Sequence, residues 1–261
     1  MIESKWKYSF VSVTGTSHKK TGSACQDFSM CDILSSRTGG TILTAVASDG
    51  AGSAKYAEQG SKLACDMLMH AIRRCLEQQD IMDVLNRSFF EEWLQMFQDE
   101  VQRQANQVSG SVRDFACTLL AAVVTDTHGA FVQIGDGAIV VSVPGKPEEY
   151  NWIFWPDQGE YANTTCFATD RHASQHLRFE RFEGCCEEVA LFTDGLQMLA
   201  LHYQTQTAHN PFFRSFFSHL RSQKERVSKR YCQSLYAFLD SFPVNQRTDD
   251  DKTLILATRR R

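Results

Sequence analysis

Hydrophobic and polar positions alternate over Tyr8-Ser9-Phe10-Val11-Ser12-Val13, and this period of two predicts a strand. A polar stretch, Gly15 to Gln26, predicts a loop. Residues 41 to 48 are apolar and β-prone and predict a further strand, which runs into Asp49-Gly50. From Ala57 to Gln79 the apolar residues Leu63, Ala64, Met67, Leu68, Ala71, Ile72, Cys75 and Leu76 share one helical face. Val84, Leu85, Phe89, Trp93, Phe97 and Val101 repeat the pattern and predict a second helix from about Ile81 to Val108.

The period then changes. Ala116 to Thr125, Ala130 to Gly135 and Ala138 to Val143 read as strands. They are joined by Thr127-His128-Gly129 and Gly135-Asp136-Gly137, breaks short enough for hairpins. Residues 144 to 188 carry no sustained period. Val189 to Thr193 is a buried strand that again ends in Asp-Gly. Phe-rich helical segments follow over about 211–222 and 226–242, and Thr253 to Thr258 is a last strand. No repeat or low-complexity linker divides the chain, so one domain over residues 1–261 is expected. Strands in groups with helix pairs between them predict an α+β layered fold. Two packed sheets with helices outside would use every amphipathic face.

Composition narrows the class. The 261 residues are 43% hydrophobic and 22% charged, ordinary for a globular protein with a sizeable core. A net charge of −4 gives no footprint for general nucleic-acid binding, and the run Arg259-Arg260-Arg261 is too short to change that. Nine cysteines include no Cys-x-x-Cys pair, which fits a reduced chain rather than a disulfide framework or a zinc site. The apolar run Phe115 to Val124 is half of what a membrane span needs, and no apolar signal core follows Met1 to Lys7. A cytoplasmic protein with no membrane partner is expected.

The candidate chemistry lies at strand ends. Asp27 precedes Phe28-Ser29-Met30, Asp49 and Asp194 follow strands, Asp136 sits between two, and Asp249-Asp250-Asp251 precedes the last. Asp-Gly alone is a turn signal, and five unrelated turns is one reading. The other is a shared site, because strand ends in a layered fold converge. Carboxylates gathered there raise one another's pKa unless a cation neutralises them. Oxygen ligands suit Mg²⁺ or Mn²⁺ rather than zinc. Two such ions about 4 Å apart can activate a water and clamp a phosphoryl group. The residues alone leave both readings open. A Cys-x5-Arg spacing, Cys31 to Arg37, lacks the glycine that a phosphate-cradling loop needs.

In their order these motifs resemble the protein phosphatase type 2C family of metal-dependent Ser/Thr phosphatases, most of all a bacterial branch. The segments are Cys25-Gln26-Asp27-Phe28, Val46 to Ser53, Asp114 to Val124, Val132 to Val141, Leu191 to Leu196 and Asp250 to Thr253. The resemblance implies a four-layer α-β-β-α sandwich of two antiparallel sheets flanked by helix pairs, with a variable flap at about 144–188. It implies hydrolysis of phosphoserine and phosphothreonine in proteins, with Mn²⁺ or Mg²⁺ as cofactor and a Ser/Thr kinase acting in opposition. It implies that Asp49 bridges two metals, that the Gly50 carbonyl binds one, and that Asp194 and Asp250 complete one ion. Asp27 would serve the other, mainly through water, and Asp136 matches the position of a third, weaker ion.

The chain also departs from the family pattern. The Glu before Asp27 is Gln26, and the phosphate-binding Arg is replaced by Gly22. Lys19, Lys20 or His18 could supply the phosphate cation from the same loop, with Lys19 and Lys20 the candidates. Ala51 stands where some members carry a general-acid His, and His18 is the candidate replacement. Two other readings stay open on these departures: a catalytically weak phosphatase-like module that binds phosphoproteins or senses a ligand, and a phosphohydrolase for small molecules.

Overall fold

A computed structural model describes residues 6–36, 39–78, 84–156 and 165–260. The chain opens with β1 (Lys7–Val13), a short helix α1 (Thr16–Thr21), and the hairpin strands β2 (Phe28–Ser35) and β3 (Thr41–Ser48). Helices α2 (Ala57–Gln78) and α3 (Arg87–Gln107) follow. The side chain of Asn86 starts α3 by accepting from Phe89 N at 3.0 Å. Next come β4 (Leu119–Val124), β5 (His128–Ile134), β6 (Ala138–Ser142), β7 (Asn151–Trp152), the single turn α4 (Ala173–His176), β8 (Arg178–Glu183) and β9 (Glu188–Phe192). A short segment, α5 (Gln197–Ala200), β10 (Leu201–His202) and β11 (Thr207–Ala208), leads into α6 (Asn210–Ser222) and α7 (Lys229–Leu239). The turn α8 (Phe242–Asn245) and β12 (Lys252–Thr258) complete the order.

Two five-stranded sheets carry the fold, ordered β1-β12-β9-β6-β7 and β2-β3-β4-β5-β8. All their pairings are antiparallel. Alternation along the strands decides which face meets what. Leu43, Ala45 and Ala47 of β3 share an apolar cluster with Ile139 of β6 and Ile255 and Ala257 of β12, between the sheets. The intervening Ile42 and Val46 pack with Leu68 and Ile72 of α2 and Phe90 and Trp93 of α3. On the far side, Leu254 and Leu256 of β12 pack with Phe213 and Phe217 of α6 and Leu235 of α7. The result is four layers: helix pair, sheet, sheet, helix pair. A one-residue slip of β3 would exchange its two faces, so the register of Asp49 is fixed by burial on both sides.

The helices α2, α3, α6 and α7 and the strands β1 and β3 to β6 lie where the periodicity predicts them, with shifted ends, whereas β2 is marked in the sequence only by Asp27 at its start. Other elements differ. The polar stretch 15–26 contains α1, which buries no residue and so leaves no apolar stripe. The segment 144–188 contains β8, Arg-Phe-Glu-Arg-Phe-Glu, an edge strand paired only with β5. Glu180, Arg181 and Glu183 are exposed beside an open edge, which obscures the alternation. The expected helix over 226–242 is divided into α7 and α8, with Pro243 at the start of the second. Residues 157–164 of the expected flap lie outside the described residues.

Candidate metal centre

Asp49 is the first residue beyond β3, and Thr118 fixes its backbone. Thr118 N donates to Asp49 O at 2.8 Å, and Asp49 N donates to Thr118 Oγ1 at 3.0 Å. Ser48 Oγ donates to Thr118 O at 2.6 Å. Gly50 bridges to Cys117, and its N–H donates to Gln26 O at 3.2 Å. A Cβ on Gly50 would lie 2.7 Å from Ala57 O and 2.8 Å from Gln26 O. Only glycine lets the end of β3, the approach to β2 and the start of α2 meet there.

The other carboxylates reach the same place from other strand ends. Asp194 follows β9 and opens a 3₁₀ turn over Asp194–Leu196. Asp136 is the tip of the β5–β6 turn, where the buried side chain of Gln133 donates to both Gly135 O (3.0 Å) and Gly137 O (2.9 Å). Gly135 takes φ of 103°, a conformation that favours glycine. Single carboxylate oxygens of Asp49, Asp136 and Asp194 lie within 4.8 Å of one another. Asp27, buried before β2, and Asp250, exposed before β12, add their charges to Asp49. Five carboxylates from both sheets therefore share one electrostatic environment.

That environment disfavours negative charge. Burial pushes Asp27 up to about 7, helped by the charges of Asp251 and Asp194 and opposed by hydrogen bonds from Thr193 and Thr253. Burial and then the charge of Asp136 push Asp194 up to about 6. Burial and then Asp27 and Asp194 hold Asp49 well above the usual carboxylate range. Three acceptors also remain buried with no hydrogen-bond partner among the described residues: Asp27 Oδ1, Asp194 Oδ1 and Gln26 Oε1. Each such orphan costs about 1–3 kcal/mol. A hard divalent cation answers both conditions, since it neutralises the charge and binds oxygen donors. The residues present fit such an ion.

The residues of the 15–26 stretch are set differently from one another. His18 Nδ1 is buried 3.0 Å from Asp251 Oδ1. Asp251 is itself buried and accepts from Gly15 N at 2.6 Å and Gln26 N at 2.5 Å. Lys19 forms an ion pair with Asp240, which also accepts from Asn245 Nδ2, while Lys20 is exposed. Asn245 in turn accepts from the buried Lys252 Nζ at 3.0 Å. Lys19 thus braces α1 against the α7–α8 corner. Asp136 Oδ2 accepts from Thr165 Oγ1 at 2.6 Å, so the described end of the expected flap reaches the carboxylate cluster. Cys31 is a buried residue of β2, and Arg37 lies outside the described residues.

Sequence reasoning missed Thr118 and Thr193 as site residues and saw Asp251, which stands where the family usually has Asn, only as added charge beside the metals. Thr193 had one signal, a hydroxyl directly before Asp194-Gly195. For Asp251 the neighbour Asp250 drew the assignment, although it is Asp251 that is buried.

The chain matches the family model for protein phosphatase 2C over residues 14–240. It is 33% identical over 252 residues to serine/threonine-protein phosphatase 3 of Escherichia coli (strain K12), covering 97% of this chain and 98% of that one. Its fold is similar to PppA of Pseudomonas aeruginosa, with TM-score 0.64, 16% identity and 98% of each chain covered. The serine/threonine phosphatase of S. agalactiae superposes with TM-score 0.59 at 14% identity, over 97% of this chain and 99% of that one. With the match over most of its length and the ordered carboxylates at its strand ends, the chain belongs to the protein phosphatase 2C family.

Proposed function

We propose that this protein hydrolyses phosphoserine and phosphothreonine in proteins with the help of divalent metal ions. The observation that carries this reading is the meeting of Asp49, Asp136 and Asp194 within 4.8 Å, beside buried acceptors that have no partner among the described residues. Asp49, Asp194, Asp250 and the Gly50 carbonyl would hold the ions, with Asp27 serving mainly through water and Asp136 toward a third ion. Mn²⁺ or Mg²⁺ suits this all-oxygen donor set. When bound, such ions neutralise phosphoryl oxygens and lower the pKa of a water ligand.

The chain's own residues supply the rest. Thr118 and Thr193 orient Asp49 and Asp27, so the donor set is ordered in advance. His18, with Nδ1 against Asp251, would give a proton from Nε2 to the leaving serine or threonine oxygen. Lys20 is the cation of α1 available to substrate phosphate, because Lys19 is engaged with Asp240. A retired, binding-only module would have no need of buried like charges that destabilise it. The described cysteines form no disulfide, which supports action in a reducing compartment such as the cytoplasm, against a Ser/Thr kinase.

The test is phosphate release from a phosphothreonine peptide with Mn²⁺, with Mg²⁺ and with a chelator. Metal-dependent release is expected, and its absence with either ion would refute the reading.

A further inference from the structure

Beside the carboxylate cluster lies a cavity of about 580 Å³, within the range of roughly 300–1,000 Å³ usual for ligand sites. Two of its walls are tied to the cluster. Ala51, two residues past Asp49, donates its N–H to Ala116 O at 2.9 Å, and both residues line the cavity. Thr165 lines it as well, while its hydroxyl holds Asp136. Ala51, Ala116 and Phe167 belong to one apolar cluster and give the cavity an apolar wall.

Arg113 stands on the 3₁₀ turn Val112–Phe115 and lines the same cavity. It is exposed, and its guanidinium makes no hydrogen bond or ion pair among the described residues. The two acids of the lining are occupied with their own backbone turns. Asp114 accepts from Ser111 N at 2.7 Å, and Asp170 accepts from Phe167 N at 2.8 Å. Lys55 adds positive charge near Asp114. The charges that act most strongly on Asp49 and Asp194 are other carboxylates, and Arg113 is not among them.

We propose that this cavity receives the substrate segment flanking the phosphorylated residue, and that Arg113 selects an acidic side chain there. The inference rests on the protein-phosphatase reading above. Its chemistry is charge complementarity. The chain carries a net charge of −4, so an exposed and unengaged cation such as Arg113 is a place where an acidic substrate side chain finds attraction. A guanidinium grips a carboxylate through two parallel N–H bonds, which gives geometric selectivity as well as attraction. Charges arranged in this way govern which partner binds more than how tightly.

The experiment measures kcat/KM on two phosphothreonine peptides, identical except that aspartates or lysines flank the phosphothreonine on both sides. The readout is the ratio of the two values in wild type, Arg113→Ala and Arg113→Glu. A partial loss of folding lowers both values together and leaves the ratio alone. Wild type is expected to favour the aspartate peptide by about five- to tenfold, Arg113→Ala to bring the ratio close to one, and Arg113→Glu to invert it. A ratio unchanged within about twofold across the three proteins would overturn the inference while leaving the phosphatase reading intact. Turnover of neither peptide by wild type, with metal present, would overturn both.

Discussion

The hydroxyl of Thr193 donates to Asp27 Oδ2 at 2.7 Å and ties the end of β9 to the approach to β2. The same oxygen accepts from Thr253 N at 3.0 Å, so one side chain joins three segments from both sheets. Thr193→Val keeps the shape and removes both bonds. It takes from Asp27 Oδ2 its bond to Thr193 and from Thr253 N–H its hydroxyl acceptor. A loss of about 1–3 kcal/mol in urea unfolding is expected. A several-fold weaker response of Tm to Mn²⁺ is expected with it, because Asp27 is no longer oriented. Unchanged metal response would show that Asp27 needs no such partner.

Asp27 and Asp194 give the metal-free protein a pH dependence of known sign. Their folded pKa values, about 7 and about 6, exceed the ordinary carboxylate value of 3.8. The fold therefore holds these protons more tightly than the unfolded chain does. Their contribution to stability is fully present below a pH of about 4 and is lost as pH rises through about 6 to 7. In chelator, Tm should fall across that window by several degrees. Mn²⁺ should restore it at a pH of about 7.5 and do little at about 4.5, where protons occupy its ligands. Calorimetry at a series of pH values with and without the ion reads this directly, and a Mn²⁺ effect of equal size at both ends would contradict it.

Asp49→Asn separates the electrostatic burden of the cluster from its use. One ionisable group is removed from the trio with Asp136 and Asp194. Apo-protein stability near neutral pH should rise by about 1 kcal/mol or more as like-charge repulsion is relieved. If Asp49 holds the ions, turnover should fall by several orders of magnitude, because an amide is a poorer ligand for a hard cation than a carboxylate. Higher Tm together with lost activity is the expected pair. Near-normal turnover would mean that the ions bind elsewhere.

Much of this was legible because it depends on neighbours in the chain. The two faces of β3, the stripes of α2 and α3, and the Asp-Gly pairs after β3 and β9 are all local patterns. What was hidden depends on distant partners. Thr193 meets Asp27 across 166 residues, Asp251 meets Gly15 across 236, and Lys19 meets Asp240 across 221. Nothing near Lys19 distinguishes a phosphate ligand from a brace, since an exposed ammonium serves both. Edge strand β8 was hidden for another reason. With one neighbour and solvent beyond, it needs charges where an inner strand needs apolar groups.

Asp251 provides the strictest test of the approach to the site. Both of its carboxylate oxygens are used by backbone donors, Oδ1 by Gly15 N at 2.6 Å and Oδ2 by Gln26 N at 2.5 Å. Asparagine has the same size, but one of its two terminal groups is itself a donor. Whichever way the amide turns, an NH₂ group faces a backbone N–H in a buried site. Asp251→Asn should therefore cost about 1–3 kcal/mol despite its conservative shape. The stretch from Gly15 to Gln26 carries His18, whose Nδ1 also rests on Asp251 Oδ1, so the damage should extend to chemistry. If His18 delivers the leaving-group proton, kcat on a phosphothreonine peptide should fall by about tenfold or more. Turnover of p-nitrophenyl phosphate should fall less, because its leaving group departs without a proton. Equal losses on the two substrates would make Asp251 a brace for the loop alone and return the search for the proton donor to other groups.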